Sequence, residues 1–534
     1  MRRWNGWGDE AVVYPLSESA LTYLRAKVGA GVRREAADFD VLASSLPLTR
    51  LPSHELVNSD PGLRLRHSRG QSLPDWIELR SGKLGPVPDA VSFPESAEDV
   101  RTLLGYARGQ RVQLIPYGGG TSVVGHINPL GEFGPALTVS LRRMNQLLDL
   151  DTESHLATFG AGVNGPEIEA QLSEMGFTLG HFPQSWEYST LGGWIATRSS
   201  GQQSYFYGRI EDMFRSASIE TPTGPLSIPA TPASAAGPDL RQAILGSEGR
   251  LGLITRATVR VRPKPETEQF HGAFFPDWQA GIAAARAIAQ ERVPLSMLRL
   301  SDPQETETTL ALAGHDRLVS LADWGLKIFG IGTDRCLMIY GLTGSLAGIR
   351  ATHARAKALL RSHGGLPTGQ YIGRTWEKSR FRSPYLRNTL WEEGYALDTL
   401  ESAVPWENFE RLRNAVLSVM RRTFEDRNIP ALIFSHLSHI YEDGVSFYVT
   451  YLYPRQPEPE LTLDIWKAVK HAASEAIVTM EGTISHQHGV GLDHRRYLDA
   501  EKSQVGMDML RLMLQACDPD QILNPGKLLC EDKA

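Results

Sequence analysis

The chain has 534 residues, too many for one ordinary hydrophobic core, so two or more domains are expected. With 41% apolar and 22% charged residues it has the composition of a globular protein, and a formal charge of −6 argues against a nucleic-acid partner. Cys336, Cys517 and Cys530 are too few and too scattered for a disulfide framework or a zinc site, and no apolar run reaches the roughly 18 residues of a membrane span.

The opening, Met1-Arg2-Arg3-Trp4-Asn5-Gly6-Trp7-Gly8-Asp9, is broken by charges and glycines and leads into no signal-peptide apolar region. The closing Glu531-Asp532-Lys533-Ala534 carries no peroxisomal address of the Ser-Lys-Leu type, so a cytoplasmic protein is expected. Peripheral membrane contact stays open through an amphipathic stretch such as Asp323-Trp324-Gly325-Leu326-Lys327-Ile328-Phe329. Residues 1–82 read as an extension of short helices and loops around Pro47, Pro52 and Pro61. A helix is predicted from Ser96 through Leu103, Leu104 and Ala107, then an apolar strand over 112–115. Strands are predicted at 137–141 and 157–163, and a helix at 166–172. Pro263 and Pro265 mark a boundary, giving one domain over 83–263 and a second, α+β domain over 264–534. The second holds an alternating strand at 445–453, a glycine-bearing turn at 481–491 and a helix at 503–516.

The strand at 112–115 runs into Pro116-Tyr117-Gly118-Gly119-Gly120-Thr121-Ser122. Successive backbone N–H groups there can approach a pyrophosphate because no side chain intervenes. The spacing is neither a Rossmann fingerprint, which needs a third glycine, nor a Walker loop, which needs Gly-Lys-Ser/Thr. Two more segments follow in order. The first is Gln184-Ser185-Trp186-Glu187-Tyr188-Ser189-Thr190-Leu191-Gly192-Gly193, and the second Gly246-Ser247-Glu248-Gly249-Arg250-Leu251-Gly252-Leu253-Ile254-Thr255. Together the three resemble the PCMH-type FAD-binding domain of the vanillyl-alcohol-oxidase superfamily. That resemblance implies an α+β protein, with two α/β subdomains around FAD and a cap domain built on an antiparallel sheet. His126 is the one nearby residue that could tether a flavin; it reads as a surface histidine, so FAD is expected to be non-covalent.

Within that superfamily the chain resembles the alkyldihydroxyacetonephosphate synthase family almost end to end. The resemblance rests on Trp4-Asn5-Gly6-Trp7-Gly8, Tyr14-Pro15-Leu16, Thr178-Leu179-Gly180-His181-Phe182-Pro183, Thr197-Arg198-Ser199-Ser200-Gly201, Tyr207-Gly208-Arg209-Ile210-Glu211-Asp212 and Glu401-Ser402-Ala403-Val404-Pro405-Trp406. It implies that the fatty-acyl ester of acyl-dihydroxyacetone phosphate is replaced by a long-chain fatty alcohol, with no net oxidation, and that the protein is a homodimer. By the same resemblance Tyr448 in Gly444-Val445-Ser446-Phe447-Tyr448 is the catalytic tyrosine, supported by the cluster His486-Gln487-His488. The family has histidine where Gln487 stands, and an amide cannot titrate near neutrality. Arg387 in Tyr385-Leu386-Arg387-Asn388 matches the family's substrate-binding arginine, while Arg374, Lys378 and Arg380 read as a solvated basic face. The alternative is an FAD-dependent D-2-hydroxyacid oxidase or dehydrogenase on the same fold; its metal-dependent forms are disfavoured because Gln487 occupies the carboxylate position.

Overall fold

The computed structural model describes residues 1–312 and 326–530. Four short helices, Glu18–Val28, Phe39–Ser44, Pro61–Arg66 and Leu73–Ser81, open the chain. Ser17, Asp38, Asp60 and Ser72 start them by accepting an otherwise unpaired N–H of the first turn. These helices are tied to both domains that follow. Asn388 of the cap accepts from Trp7 N at 3.0 Å and donates to Trp7 O at 2.9 Å, and Gln71 N donates to Ser122 O at 2.6 Å.

The first subdomain is a parallel sheet of Ala90–Ser92, Ala136–Ser140 and Gln113–Tyr117, with Ala136–Ser140 in the middle. Helix Ala97–Gln110 covers it, started by a capping box between Ser96 and Asp99 and packing through Val100, Leu103, Leu104 and Ala107. The strand continues two residues past 115 and includes Pro116, since Gln113–Tyr117 is an edge strand where a missing N–H breaks no ladder. The far end of the chain returns to this edge: Leu114 donates to Ile522 O and accepts from Asn524 N, at 2.7 and 2.8 Å. The second subdomain holds five antiparallel strands in the order Leu147–Asp151, Leu156–Gly160, Leu253–Arg260, Phe214–Thr221, Gly224–Ile228.

The cap is a seven-stranded antiparallel sheet. Its order is Leu366–Gly369, Thr267–Phe275, Cys336–Gly344, Met297–Ser301, Leu432–Ile440, Gly444–Pro454, Tyr395–Pro405. Helices Trp278–Gln290, Leu346–Ser362, Trp406–Glu425 and Pro459–Thr479 bury the largest apolar cluster against one face. The opposite face carries Arg299, His436, Tyr448 and Leu452 and looks toward the glycine loops. The last helix begins at Leu498 rather than 503, because Ser503 (φ 59°) is a non-helical joint that hides continuity from a periodicity reading. Of the amphipathic stretch, Asp323, Trp324 and Gly325 lie outside the described residues; Leu326 is buried while Ile328 and Phe329 are exposed. No helix among the described residues is long and apolar enough to cross a membrane.

Removing the Asn388 side chain leaves two backbone groups of Trp7 unpaired in a buried place. Asn388→Ala is therefore expected to lower stability by about 2 kcal/mol, measured by urea unfolding at constant flavin content.

Candidate active site

One cavity of about 600 Å³ lies between the two halves. Pro116, Tyr117, Gly118, Gly119, Gly120, Thr121 and Ser122 form one wall, with Gln184, Ser185, Ser189, Thr190, Thr197, Ser199 and Ser200 beside them. Glu248, Gly249, Gly252, Leu253 and Ile254 complete that side. The loops lie so close that a Cβ on Gly119 would sit 1.9 Å from Tyr188 O, and one on Gly118 would sit 2.2 Å from Thr190 Oγ1. The backbone N–H groups of Gly119 through Val123 find no acceptor among the described residues, and they line the cavity. A row of free N–H donors on glycine backbone is what a pyrophosphate requires, so this wall fits FAD.

The opposite wall is the open face of the cap sheet. His436 and Tyr448 are cross-strand partners whose rings stack at 5.2 Å. The Tyr448 hydroxyl donates to Thr399 Oγ1 at 2.9 Å, and burial raises its pKa above the ordinary phenol value. Arg387 enters from helix Ser383–Glu392 with its guanidinium 4.3 Å from the Trp76 ring. It donates from Nη1 to Gln71 O, while its buried Nε and Nη2 have no hydrogen-bond partner among the described residues. Burial holds its pKa below the usual arginine value. An arginine so placed is a dry receptor for an anion.

Two family models match the chain: an FAD binding domain over residues 88–227 and the C-terminal domain of FAD linked oxidases over 264–528. The alkyldihydroxyacetonephosphate synthase of Dictyostelium discoideum is 33% identical over 480 residues, 89% of this chain and 78% of that protein. The chain belongs to the alkyldihydroxyacetonephosphate synthase family. The Trypanosoma brucei brucei synthase is 29% identical over 99% of this chain and 92% of its own. A solved alkyldihydroxyacetonephosphate synthase superposes with a TM-score of 0.83 at 27% identity, covering 98% of each chain. FAD is the cofactor of this family member.

Against the expectations drawn from alkyldihydroxyacetonephosphate synthases, the geometry sorts the candidate residues. Gln487 and His488 line the cavity; His486 does not. Its Nε2 is engaged by Tyr441 Oη at 2.7 Å and Arg209 Nη1 at 2.8 Å, and burial beside Arg209 holds it well below the usual imidazole pKa. The Oε1 of Gln487 accepts from His439 Nε2 at 3.1 Å. That contact leaves His439 Nδ1 to accept from Ser204 Oγ at 2.9 Å. The ring is thereby fixed in one tautomer, and burial drives its pKa down to about 3. Trp186, Glu187, Tyr188, Arg198, Arg250 and Leu251 do not line the cavity. Trp186 stacks on Phe381 at 4.8 Å, and Glu187 accepts from Tyr385 Oη at 2.9 Å. Tyr188 packs edge-on to Trp7, Arg198 pairs with Glu211 at 3.0 Å, and Leu251 is in the core. Buried Arg250 donates to Lys527 O at 3.2 Å.

Two further readings are corrected. His126 is not a surface histidine: it is buried in the cavity wall, with Nδ1 2.8 Å from Ser122 Oγ and Nε2 3.0 Å from Glu248 Oε1. Arg380 is not part of a solvated face, since its guanidinium packs over Phe182 and Phe381 at 4.9 and 4.8 Å and donates to Gln203 Oε1 at 3.0 Å. Arg374 and Lys378 are exposed, as read.

Sequence reasoning missed His436, His439, Arg299, Glu305 and Glu401. The first two sit on strand Leu432–Ile440, where a bulge between Leu437 and His439 lets both histidines face the cavity. Strict alternation would have separated residues three apart. Only the pairing of this strand with the one bearing Tyr448 gives them meaning.

A neutral buried His439 has a consequence for acid stability. Its folded pKa of about 3 lies below the ordinary imidazole value, so between those pH values the unfolded chain binds the proton and the folded one does not. Its share of stability is present at neutral pH and is lost as pH falls. Wild type should lose about 2 kcal/mol more than His439→Gln between pH 7 and pH 5, measured by urea unfolding. Buried Asp493, raised to about 7 by desolvation, acts with the opposite sign in both proteins and cancels in the comparison.

Proposed function

We propose that this chain is an FAD-dependent alkyldihydroxyacetonephosphate synthase, exchanging the fatty-acyl ester of acyl-dihydroxyacetone phosphate for a long-chain fatty alcohol and working as a homodimer. The observation that supports it best is the grading of the cavity floor. His436 and Tyr448 make a polar rung, Phe434, Thr450 and Thr399 the next, and Leu432, Leu452 and Leu397 an apolar one. Four residues of strand separate the first rung from the last, about 13 Å. Leu24, Leu312 and Leu390 close the apolar end. A substrate with a phosphate headgroup and a long hydrocarbon chain has this polarity along its length.

FAD, when bound against the glycine loops, would supply the electrophilic ring that the exchange needs. The protein holds the headgroup by Arg387, whose free Nε and Nη2 match two phosphate oxygens bidentately. Tyr448 takes the proton that leaves carbon 1 once its own hydroxyl proton has passed on along the bond to Thr399 Oγ1 at 2.9 Å. Its pKa is raised by burial in the presence of Glu401 and Asp398, and Arg387 acts in the opposite sense. The hydrocarbon chain excludes water from the apolar end, so the activated carbon meets an alcohol rather than solvent. Non-covalent FAD belongs to the same reading, since His126 Nδ1 is bonded to Ser122 Oγ and its Nε2 faces the Glu248 carboxylate at 3.0 Å.

The test is an anaerobic incubation of FAD-loaded protein with palmitoyl-dihydroxyacetone phosphate and labelled hexadecanol. Labelled alkyl-dihydroxyacetone phosphate, with the flavin still oxidised afterwards, is expected. Flavin bleached by a D-2-hydroxyacid, with no ether formed, would overturn the reading. Arg387→Met should raise the KM for the phosphorylated substrate roughly 10- to 100-fold. Tyr448→Phe should lower kcat roughly 100-fold or more at unchanged flavin content. Acid precipitation should release all flavin into the supernatant.

A further inference from the structure

Glu305 is a carboxylate with no evident task. It is 4% exposed, on helix Pro303–Leu312, where its own backbone N–H is already bonded to Asp302 Oδ1 at 2.8 Å. Its Oε1 meets His436 Nδ1 at 3.0 Å and Arg299 Nη2 at 2.7 Å. Against the burial that would raise it, His436 and then Arg299 hold the carboxylate ionised, with its pKa driven down to about 2. An ionised carboxylate can only accept, so the His436 ring proton resides on Nδ1, facing Glu305. Arg299 Nη2, 3.2 Å from the same Nδ1, directs its hydrogen to the nearer carboxylate.

Nε2 of His436 is then left as a lone-pair acceptor. It has no hydrogen-bond partner among the described residues, and His436 lines the cavity beside Tyr448. The groups facing this imidazole are Glu305 and Asp302 as anions, Arg299 as a cation, and the neutral Tyr448. Burial keeps its pKa below the ordinary imidazole value, so the ring is neutral at physiological pH.

We propose that His436 is a second general base of the site, taking the proton of the fatty alcohol as it adds, and that Glu305 is the positioning residue that fixes its tautomer. This inference rests on the synthase reading. Two protons move in that reaction: one leaves carbon 1 for Tyr448 and is returned to that carbon in the product, and the other leaves the alcohol oxygen. In the exchange the bond from carbon 1 to the carboxylate oxygen breaks, its electron pair leaving on the carboxylate. The bond from the alcohol oxygen to carbon 1 forms as the O–H bond breaks, and that proton passes to His436 Nε2. Acyl-dihydroxyacetone phosphate and alcohol thus give alkyl-dihydroxyacetone phosphate, fatty-acid anion and one proton, released to solvent when the imidazolium deprotonates. An acceptor oriented from behind by a buried carboxylate is the arrangement that lets a neutral imidazole remove a hydroxyl proton.

The test separates the two halves of the exchange in FAD-loaded enzyme. Labelled palmitate entering palmitoyl-dihydroxyacetone phosphate without alcohol reads the first half; labelled hexadecanol entering ether reads the whole. His436→Phe keeps a ring against Tyr448 and should reduce ether formation about 100-fold or more, while palmitate exchange falls less than about threefold. Glu305→Gln retains an acceptor for Nδ1–H without the charge and should reduce ether formation about 10- to 100-fold with the same selectivity. It carries the test if the phenylalanine variant does not fold. Independently of activity, the ¹⁵N spectrum of wild type should place the His436 proton on Nδ1 from pH 6 to pH 9. Equal loss in both assays at full flavin content, or a proton on Nε2, would overturn the proposal. Wild type active in neither assay would instead sink the synthase reading, and this one with it.

Discussion

The site depends on two buried carboxylates that grip one turn from opposite sides. Glu401, on the outer strand of the cap sheet, accepts from the backbone N–H of Gln487 and His488 at 2.6 and 2.8 Å. Glu248, from the FAD-binding half, accepts from Val490 at 2.6 Å and Gly491 at 2.9 Å. Hydrogen bonds to a carboxylate are stronger than those between neutral groups. The turn also needs its glycines: Gly489 (φ 83°) and Gly491 (φ 52°) lie where a Cβ would fall 2.7 Å from His126 Nε2 and 2.2 Å from Val124 O. The histidine turn therefore has a defined place only once the two halves have docked. Cofactor wall and catalytic wall are assembled by the same contacts.

That arrangement explains why the termini matter to a site built mostly from the middle of the chain. Trp7 is locked to Asn388, one residue from Arg387, and Gln71 bridges Arg387 to the glycine loop through its own backbone. Asn524 donates to Glu248 O at 2.8 Å while its backbone joins the parallel sheet at Leu114. Both ends of the chain thus press on the seam between cofactor and substrate. A guanidinium left partly unpaired in a dry place, as Arg387 is, persists only where the surrounding structure is rigid enough to forbid its retreat to water.

The individual elements were readable wherever a local signal existed. Ser96 with Asp99 marked a helix start, and the alternation of residues 445–453 marked the strand that carries Tyr448. The glycine segments were readable because close backbone approach demands that residue type whatever the surroundings. What failed were statements about a side chain's neighbours. His126 looked exposed because nothing nearby in sequence would bury it; the partner that does, Glu248, is 122 residues away. Arg380 looked solvated because its aromatic neighbours Phe182 and Phe270 come from other elements. His436 and Glu305 stayed invisible, since a carboxylate and an imidazole 131 residues apart carry no joint signal until a sheet sets them side by side.

By itself, then, the sequence determined the family, the cofactor class and the residue types of the two walls, because those follow from motifs whose chemistry is local to a few consecutive residues. Tertiary structure alone decided which histidines face the cavity, that Gln487 Oε1 meets His439, and that the cavity floor grades from polar to apolar. The physical reason is the same in each case. Orientation, burial and tautomer are set by strand register, a bulge and the docking of two domains, none of which is a property of any short stretch of chain.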